Sequence, residues 1–329
     1  MKRLVEIVRS FANRRIVVTG DAIADQFVYG NISRVSREAP VFILRHEQTT
    51  TVPGGAANCA MNLAALGARV SLIAAAGADE AGKQLRAKLE DAGVDTGGVI
   101  VSEKIQTTTK VRILAGQSHS NRQQVIRIDY EGNPIAGSEL RESIIKALTP
   151  AIASTEALII SDYNYGVVDD RVVSLIRESN NKPVLVDSRF RLAELTGFTA
   201  ATPNEDEVEH LIGDAITSTE QLERAAGTLK EKLNHKALLV TRGAQGMMLL
   251  ADHAAPLHIP AVGSQQSVDV TGAGDTVIAT FALAVASGAS FADAARLANY
   301  AGGLVVMKRG TASVSAGELE HSILNSEND

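Results

Sequence analysis

A doubly wound α/β architecture, a mainly parallel sheet with helices on both faces, is the fold class this chain predicts, and three observations carry it. Short β-branched runs alternate with stretches of helical period along most of the sequence, as strands joined by crossover helices do. Two glycine loops, at Gly54-Gly55 and Gly272-Ala273-Gly274, each lead directly into an apolar helical run. Hydrophobic residues fill 45% of the 329 positions, enough for a sizeable buried core.

The elements follow in order. Leu4, Ile7, Val8 and Phe11 share one face of an opening helix, and residues 16–19 form the first strand. A helix is expected at 56–66, a strand at 69–74, a helix at 80–91 and a strand at 157–160. Segments 172–178, 184–186, 205–212, 221–233 and 237–240 continue the alternation. Residues 247–259 read as a hairpin, followed by helices at 276–286 and 291–306. Segments 26–52 and 107–129 break the rhythm, being rich in Val, Ile, Thr and Arg with strand-like alternation and no helical period. From the residues alone they are either edge hairpins of the main sheet or a separate small sheet. The whole of 1–329 reads as a single domain with these two insertions, and the tail after Leu319 is expected to fray.

Charge and cysteine usage narrow the class. The net charge is -6 and no basic block of five residues occurs, which argues against a nucleic-acid surface. Cys59 is the only cysteine, so no internal disulfide forms, and a reducing, cytoplasmic setting is expected. Charged residues cut through the apolar positions of 1–10, unlike a signal peptide, and no run reaches the roughly 20 apolar residues of a membrane span.

The chemistry concentrates in Asp269-Val-Thr-Gly-Ala-Gly-Asp275. Glycines before a helix let the amides of Gly272, Ala273 and Gly274 converge where unpaired donors and the helix dipole favour phosphate oxygens. Asp275 would repel a phosphate in the ground state, so a carboxylate here suggests a base that takes a proton from an attacking hydroxyl. The plainer alternative is a helix-capping aspartate after a glycine turn. Upstream, Gly54 and Gly55 permit close backbone approach, and Asn58 can offer both donors and an acceptor to a hydroxyl-rich ligand.

Two further motifs bear on phosphate and metal binding. Gly77-Ala-Asp-Glu-Ala-Gly-Lys-Gln84 nearly spells a P-loop, but Gln84 replaces the magnesium-binding hydroxyl, and Asp79 and Glu80 would put negative charge inside the phosphate cradle. It reads as a helix start with Asp79 near the cap. In Pro203-Asn-Glu-Asp-Glu207, Asn204 and Glu207 stand three apart at a helix start. They either hold hydrated Mg²⁺ or belong to an acidic first turn suited to the helix dipole.

Gly-Gly-x-x-Asn early and Asp-x-x-Gly-Ala-Gly-Asp late, in this order and separation, resemble the two signatures of the PfkB, or ribokinase-like, family of carbohydrate kinases, and the resemblance runs from about Arg15 to Ser315. It implies ATP as co-substrate and Mg²⁺ held through water by Asn204 and Glu207. It also implies Thr241, Gly243, Gly246 and Asn299 around the nucleotide, and K⁺ near Asp269 and Thr271. Segments 26–52 and 107–129 would form a lid over the sugar and the surface of a homodimer. Asp21 and Asp25 would meet sugar hydroxyls with Gly54, Gly55 and Asn58. The segments Tyr29 to Val41 and Ser161-Asp-Tyr-Asn-Tyr-Gly166 look like those of bacterial heptose 7-phosphate kinases, which implies a sugar-phosphate substrate contacted by Asp162 and by cations such as Arg112 and Arg189. Asn164, and Asp187-Ser-Arg-Phe190, depart from that pattern, with Arg189 able to replace a lysine charge. Bifunctional members add a nucleotidyltransferase domain, absent here, so a stand-alone kinase is expected.

Overall fold

The computed structural model describes residues 1–116, 122–132, 137–178, 182–263 and 267–326. In chain order the helices are α1 (Lys2–Arg9), α2 (Ala56–Ala65), α3 (Glu80–Asp91), α4 (Ser138–Ser154), α5 (Asp170–Glu178), α6 (Glu205–Ile212), α7 (Thr219–Leu233), α8 (Ala273–Ala286), α9 (Phe291–Val305) and α10 (Ala316–Asn325). The strands are β1 (Arg15–Gly20), β2 (Ala22–Val35), β3 (Phe42–Gly55), β4 (Arg69–Gly77), β5 (Val99–Ser102), β6 (Thr109–Gly116), β7 (Gln123–Tyr130), β8 (Ala157–Asp162), β9 (Val184–Ser188), β10 (Ala200–Ala201), β11 (Ala237–Thr241), β12 (Met247–Ala251) and β13 (Leu257–Ile259).

Nine strands make one sheet in the order β13-β12-β11-β10-β9-β8-β1-β4-β5. Pairing is parallel from β11 through to β5, and β12 and β13 append an antiparallel hairpin. Strand alternation divides the core in two. Ile16 and Val18 pack with residues of α2, α8 and α9, whereas Val17 packs on the opposite face with α4, α5 and α7. Burial on both faces explains why the central strands read as continuous apolar runs.

The second sheet has the order β3-β2-β6-β7, and only Asp21 separates β1 from β2. β2 pairs antiparallel with β3 and parallel with β6, and β6 pairs antiparallel with β7. Of the two sequence readings, the separate small sheet is the one that forms. It extends beyond 26–52 and 107–129 to begin at Ala22 and end at Tyr130, and residues 117–121 of the second segment lie outside the described residues. Asp79 caps α3 by accepting from Gly82 N at 2.8 Å and holds the base of β6 through Thr107 N at 2.8 Å, so the P-loop look-alike is a structural joint.

Helix α4 was not legible, because Pro150 lies inside it and reads as a breaker, and short β5 and β10 carry too few residues for a periodic signal. The expectation of fraying after Leu319 is corrected. Ser315 and Glu318 form a reciprocal capping box, and Leu319 and Ile323 are fully buried against the core, so α10 is a docked helix as far as Asn325. Residues 327–329 of that tail lie outside the described residues.

Candidate active site

The parallel strands β1, β8, β9 and β11 end on one edge of the large sheet, and the small sheet stands over that edge through β2. Ligands of open α/β sheets bind at such carboxyl ends. A cleft of about 470 Å³ lies there, lined among others by Asp162, Arg189, Asn204, Glu207, Thr241 and Gly274.

Asp275 stands in the first turn of α8 and is 4% exposed. Its Oδ2 accepts from Asn58 Nδ2 at 2.7 Å and its Oδ1 from Tyr163 Oη at 3.2 Å. Burial raises its pKa to about 7, against the lowering effect of those two donors, while Asp25 raises it and Lys110 lowers it further. That places a carboxylate at the threshold between acid and base near neutral pH. Gly272 opens the helix at φ 76°, and a Cβ there would lie 2.5 Å from Asn58 Nδ2. Glycine is therefore required for the turn and for the asparagine that grips Asp275. Gly274 lines the cleft, and beyond its chain neighbours and its own helix no atom lies within 4 Å of where its Cβ would be.

Four residues expected near ligands make firm contacts within the protein. Asn58 holds the Asp275 carboxylate, and Asn62 supports it by donating to its Oδ1 at 3.1 Å. Asp21 is 2% exposed, and its carboxylate accepts from the amides of Tyr163, Tyr165 and Val167 at 2.8, 3.1 and 3.2 Å, so it shapes the loop after β8. Gly246 serves packing: a Cβ there would lie 2.1 Å from the carbonyl oxygen of Ile259. Asn299 is buried and donates to the Pro260 carbonyl at 2.7 Å, tying the segment after β13 to α9.

Asp25 and Arg112 form a buried ion pair on the crevice face of the small sheet. Arg112 is thereby held against Asp25 on this face. Gly54 and Gly55 end β3 against the Asp25 and Asp21 side, and Thr311 Oγ1 reaches Asp25 Oδ2 at 3.4 Å. Asp162 is buried and accepts from Ser188 Oγ at 2.7 Å. Arg189 is exposed in the cleft, its guanidinium over the Phe190 ring at 5.7 Å.

At the other end, Asn204 Oδ1 accepts from Glu207 N at 2.7 Å and Glu207 Oε2 accepts from Asn204 N at 2.9 Å. The pair is a capping box that also lines the cleft. Desolvation raises the pKa of Glu207, and Asp187, partly open to the cleft, is pushed well above the usual carboxylate range by burial and by Asp275, Glu207 and Asp162. Such concentrated carboxylate oxygen suits a hard divalent cation. Among the described residues no three carboxylate, imidazole or thiol side chains converge to hold a metal directly, so water and phosphate oxygens would complete its shell. Thr241 lines the cleft, and Gly243 has open space on its Cβ side. Asp269 accepts from Thr271 N at 2.9 Å and from Gly310 N at 2.9 Å, joining the glycine loop to the segment after α9.

Tyr163 and Asp187 carry no role of their own in the sequence reading, and Lys110 figures there only as one of the lid cations, with Arg34, Arg37, Arg112, Arg122 and Arg127, that suit a phosphorylated sugar. Tyr163 and Asp187 follow or end strands β8 and β9, where strand ends meet at the crevice, and that position was the available signal.

Residues 13–316 match the model of the pfkB family carbohydrate kinases. The chain belongs to that family. It is thus a carbohydrate kinase, with the ribokinase-like fold. Among curated proteins it is 41% identical over 315 residues to the bifunctional protein HldE of Hahella chejuensis, and 42% identical over 323 residues to that of Caulobacter vibrioides. These alignments cover 95% and 96% of this chain, which spans 64% and 65% of the relatives' lengths. Among solved structures, Arabidopsis thaliana ribokinase complexed with ribose and ATP superposes with a TM-score of 0.75 at 23% identity, covering 94% of this chain and 99% of that one. Escherichia coli phosphofructokinase-2 in complex with potassium gives 0.79 at 18% identity, covering 96% and 99%. Among the described residues no helix is long and apolar enough to cross a membrane.

Proposed function

We propose that this family member transfers the γ-phosphate of ATP to the anomeric hydroxyl of D-glycero-β-D-manno-heptose 7-phosphate, giving the 1,7-bisphosphate. The observation that carries the reading is Asp275, a buried carboxylate held by Asn58 and Tyr163 at the start of α8, with a pKa near 7. Asp275 takes the proton of the sugar hydroxyl as its oxygen bonds to the γ-phosphorus and the bond to the β-phosphate oxygen breaks, releasing ADP. The first-turn amides of Gly272, Ala273 and Gly274 stabilise the charge on the transferring group. Mg²⁺ would be held through water by Glu207 with Asn204 and would neutralise phosphate charge there. A monovalent cation would sit by Asp269 and Thr271.

The sugar assignment draws on the 41% and 42% identity to HldE proteins and on the basic residues of the small sheet. One domain spans the chain, with the small sheet as lid and as the face of a homodimer, working in the cytoplasm in lipopolysaccharide-core biosynthesis. The test is ATP consumption against a panel of heptose 7-phosphate, free heptose, ribose, fructose and adenosine. Heptose 7-phosphate is expected to give the highest kcat/KM, and equal use of ribose or adenosine would move the assignment to another branch of the family.

A further inference from the structure

The crevice face of the small sheet carries an unmatched charge. Register places Lys110 opposite Asp25 on β2 and Asp129 on β7, with Arg112 opposite Phe27 and Arg127. These residues share one face, since alternate strand positions point the same way. Arg112 pairs with Asp25, and Arg127 holds Asp129 through two bonds of 2.9 and 3.0 Å. Both carboxylates are thereby taken. Arg122 pairs with Glu47 elsewhere on the sheet.

Lys110 remains. Among the described residues no carboxylate lies within ion-pair distance of its ammonium, which stands over the rings of Tyr163 at 5.6 Å and Tyr165 at 5.9 Å. Aromatic faces favour a cation but do not neutralise it. Burial lowers the pKa of Lys110, and Arg127 and Arg189 add to that effect against Asp129 and Asp25. A half-buried ammonium flanked by two guanidinium groups gains most from an incoming anion. Its distance from the reaction centre also fits: the Tyr163 ring lies under the ammonium, and the Oη of the same ring bonds Asp275. One tyrosine side chain therefore spans from cation to base, comparable to the span from the reacting hydroxyl to the far-end substituent of a pyranose.

We propose that Lys110 is the binding site for the substrate's own, non-reacting phosphate, with Tyr163 and Tyr165 as its aromatic walls and Arg189 across the cleft as a second cation. This rests on the heptose 7-phosphate reading and adds the residue that selects the phosphorylated sugar.

Isothermal titration of the parent, Lys110→Met and Lys110→Arg with heptose 7-phosphate, free heptose, inorganic phosphate and ATP tests it. The parent should bind the phosphorylated sugar more tightly than the free one. Lys110→Met should reduce that preference by roughly ten- to a hundred-fold, the worth of one charge-assisted contact, while ATP affinity stays and Lys110→Arg keeps most of the preference. Inorganic phosphate should compete with heptose 7-phosphate in the parent and lose that competition in Lys110→Met. A preference kept in Lys110→Met overturns the Lys110 site and leaves the substrate reading standing. Equal loss of both sugars, or loss of ATP binding, overturns it too, since the cation would then serve the sugar ring or the nucleotide. A parent that does not prefer the phosphorylated sugar overturns both readings. Should Lys110→Met fail to fold, Lys110→Gln carries the same comparison.

Discussion

Tyr163 donates a hydrogen bond to Asp275 Oδ1 at 3.2 Å, on the carboxylate oxygen opposite the one that Asn58 holds at 2.7 Å. The Asp275 carboxylate is thus gripped from two sides by neutral donors. Both favour the ionised form against a burial that favours the protonated one, and the pKa settles at about 7.

With Asp275 as the proposed base, its deprotonated form is the active one, so kcat/KM should rise with pH through this value. Tyr163→Phe removes one donor to the anion, so the acidic limb should move to higher pH, with the loss largest below neutrality and recovered in alkali. A purely structural role would lower activity evenly at every pH. Asp275→Asn should abolish the limb and lower kcat by roughly 10² to 10⁴, the range for a positioned base. Near-normal turnover in that folded variant would falsify the assignment of Asp275.

A single substitution separates the capping contact of Glu207 from its proposed part in holding Mg²⁺. Gln at this helix position can still accept from the Asn204 amide, so Glu207→Gln should preserve the start of α6 while removing the charge beside the cleft. The Mg²⁺ concentration for half-maximal activity should rise roughly ten-fold or more, with sugar affinity nearly unchanged. An unchanged Mg²⁺ titration would leave Asn204 and Glu207 as a capping box alone.

His235 offers a stability measurement away from the cleft. It is 3% exposed, its Nδ1 lies 3.1 Å from the Phe198 carbonyl, and desolvation lowers its pKa from 6.5 to about 4. Between these values the unfolded chain binds the extra proton, so this group's contribution is intact above about pH 6.5 and is lost as pH falls toward 4. The loss is about 3 kcal/mol at most. Denaturant midpoints of the parent and His235→Asn should converge across that window. Parallel curves would show that the imidazole stays out of acid unfolding.

The small sheet bears on assembly. Every residue of β7 is exposed, including Val125, Ile126, Ile128 and Tyr130, and β3 ends the other edge with Phe42 exposed. Uncovered edge strands with apolar side chains invite pairing with another copy. Light scattering should give twice the 34.7 kDa monomer mass, and Ile126→Lys with Ile128→Lys should shift it to one. A fully active monomer at working concentration would remove the dimer.

The sequence disclosed the strand and helix alternation because buried parallel strands and one-sided helices leave different periods. It disclosed Asp275 because a carboxylate after a glycine turn is chemically conspicuous. It did not disclose where the side chains of Asn58 and Asp21 go, since an amide or carboxylate near a glycine loop serves a ligand or the protein with the same letters. The matching of Arg112 to Asp25, which leaves Lys110 over, depends on strand register across β2, β6 and β7. No local pattern encodes that register. Tyr163 needed the fold for the same reason, as its ring bridges two segments remote in the chain.

The base is held by partners 217 and 112 positions away along the polypeptide. The Asn58 grip needs the first and last thirds of the chain docked and the Tyr163 grip the middle and last thirds, and closing such long loops is the slow part of acquiring a native topology. During refolding, helical signal should return first and turnover last. A nascent or partly unfolded molecule therefore lacks the assembled grip on Asp275.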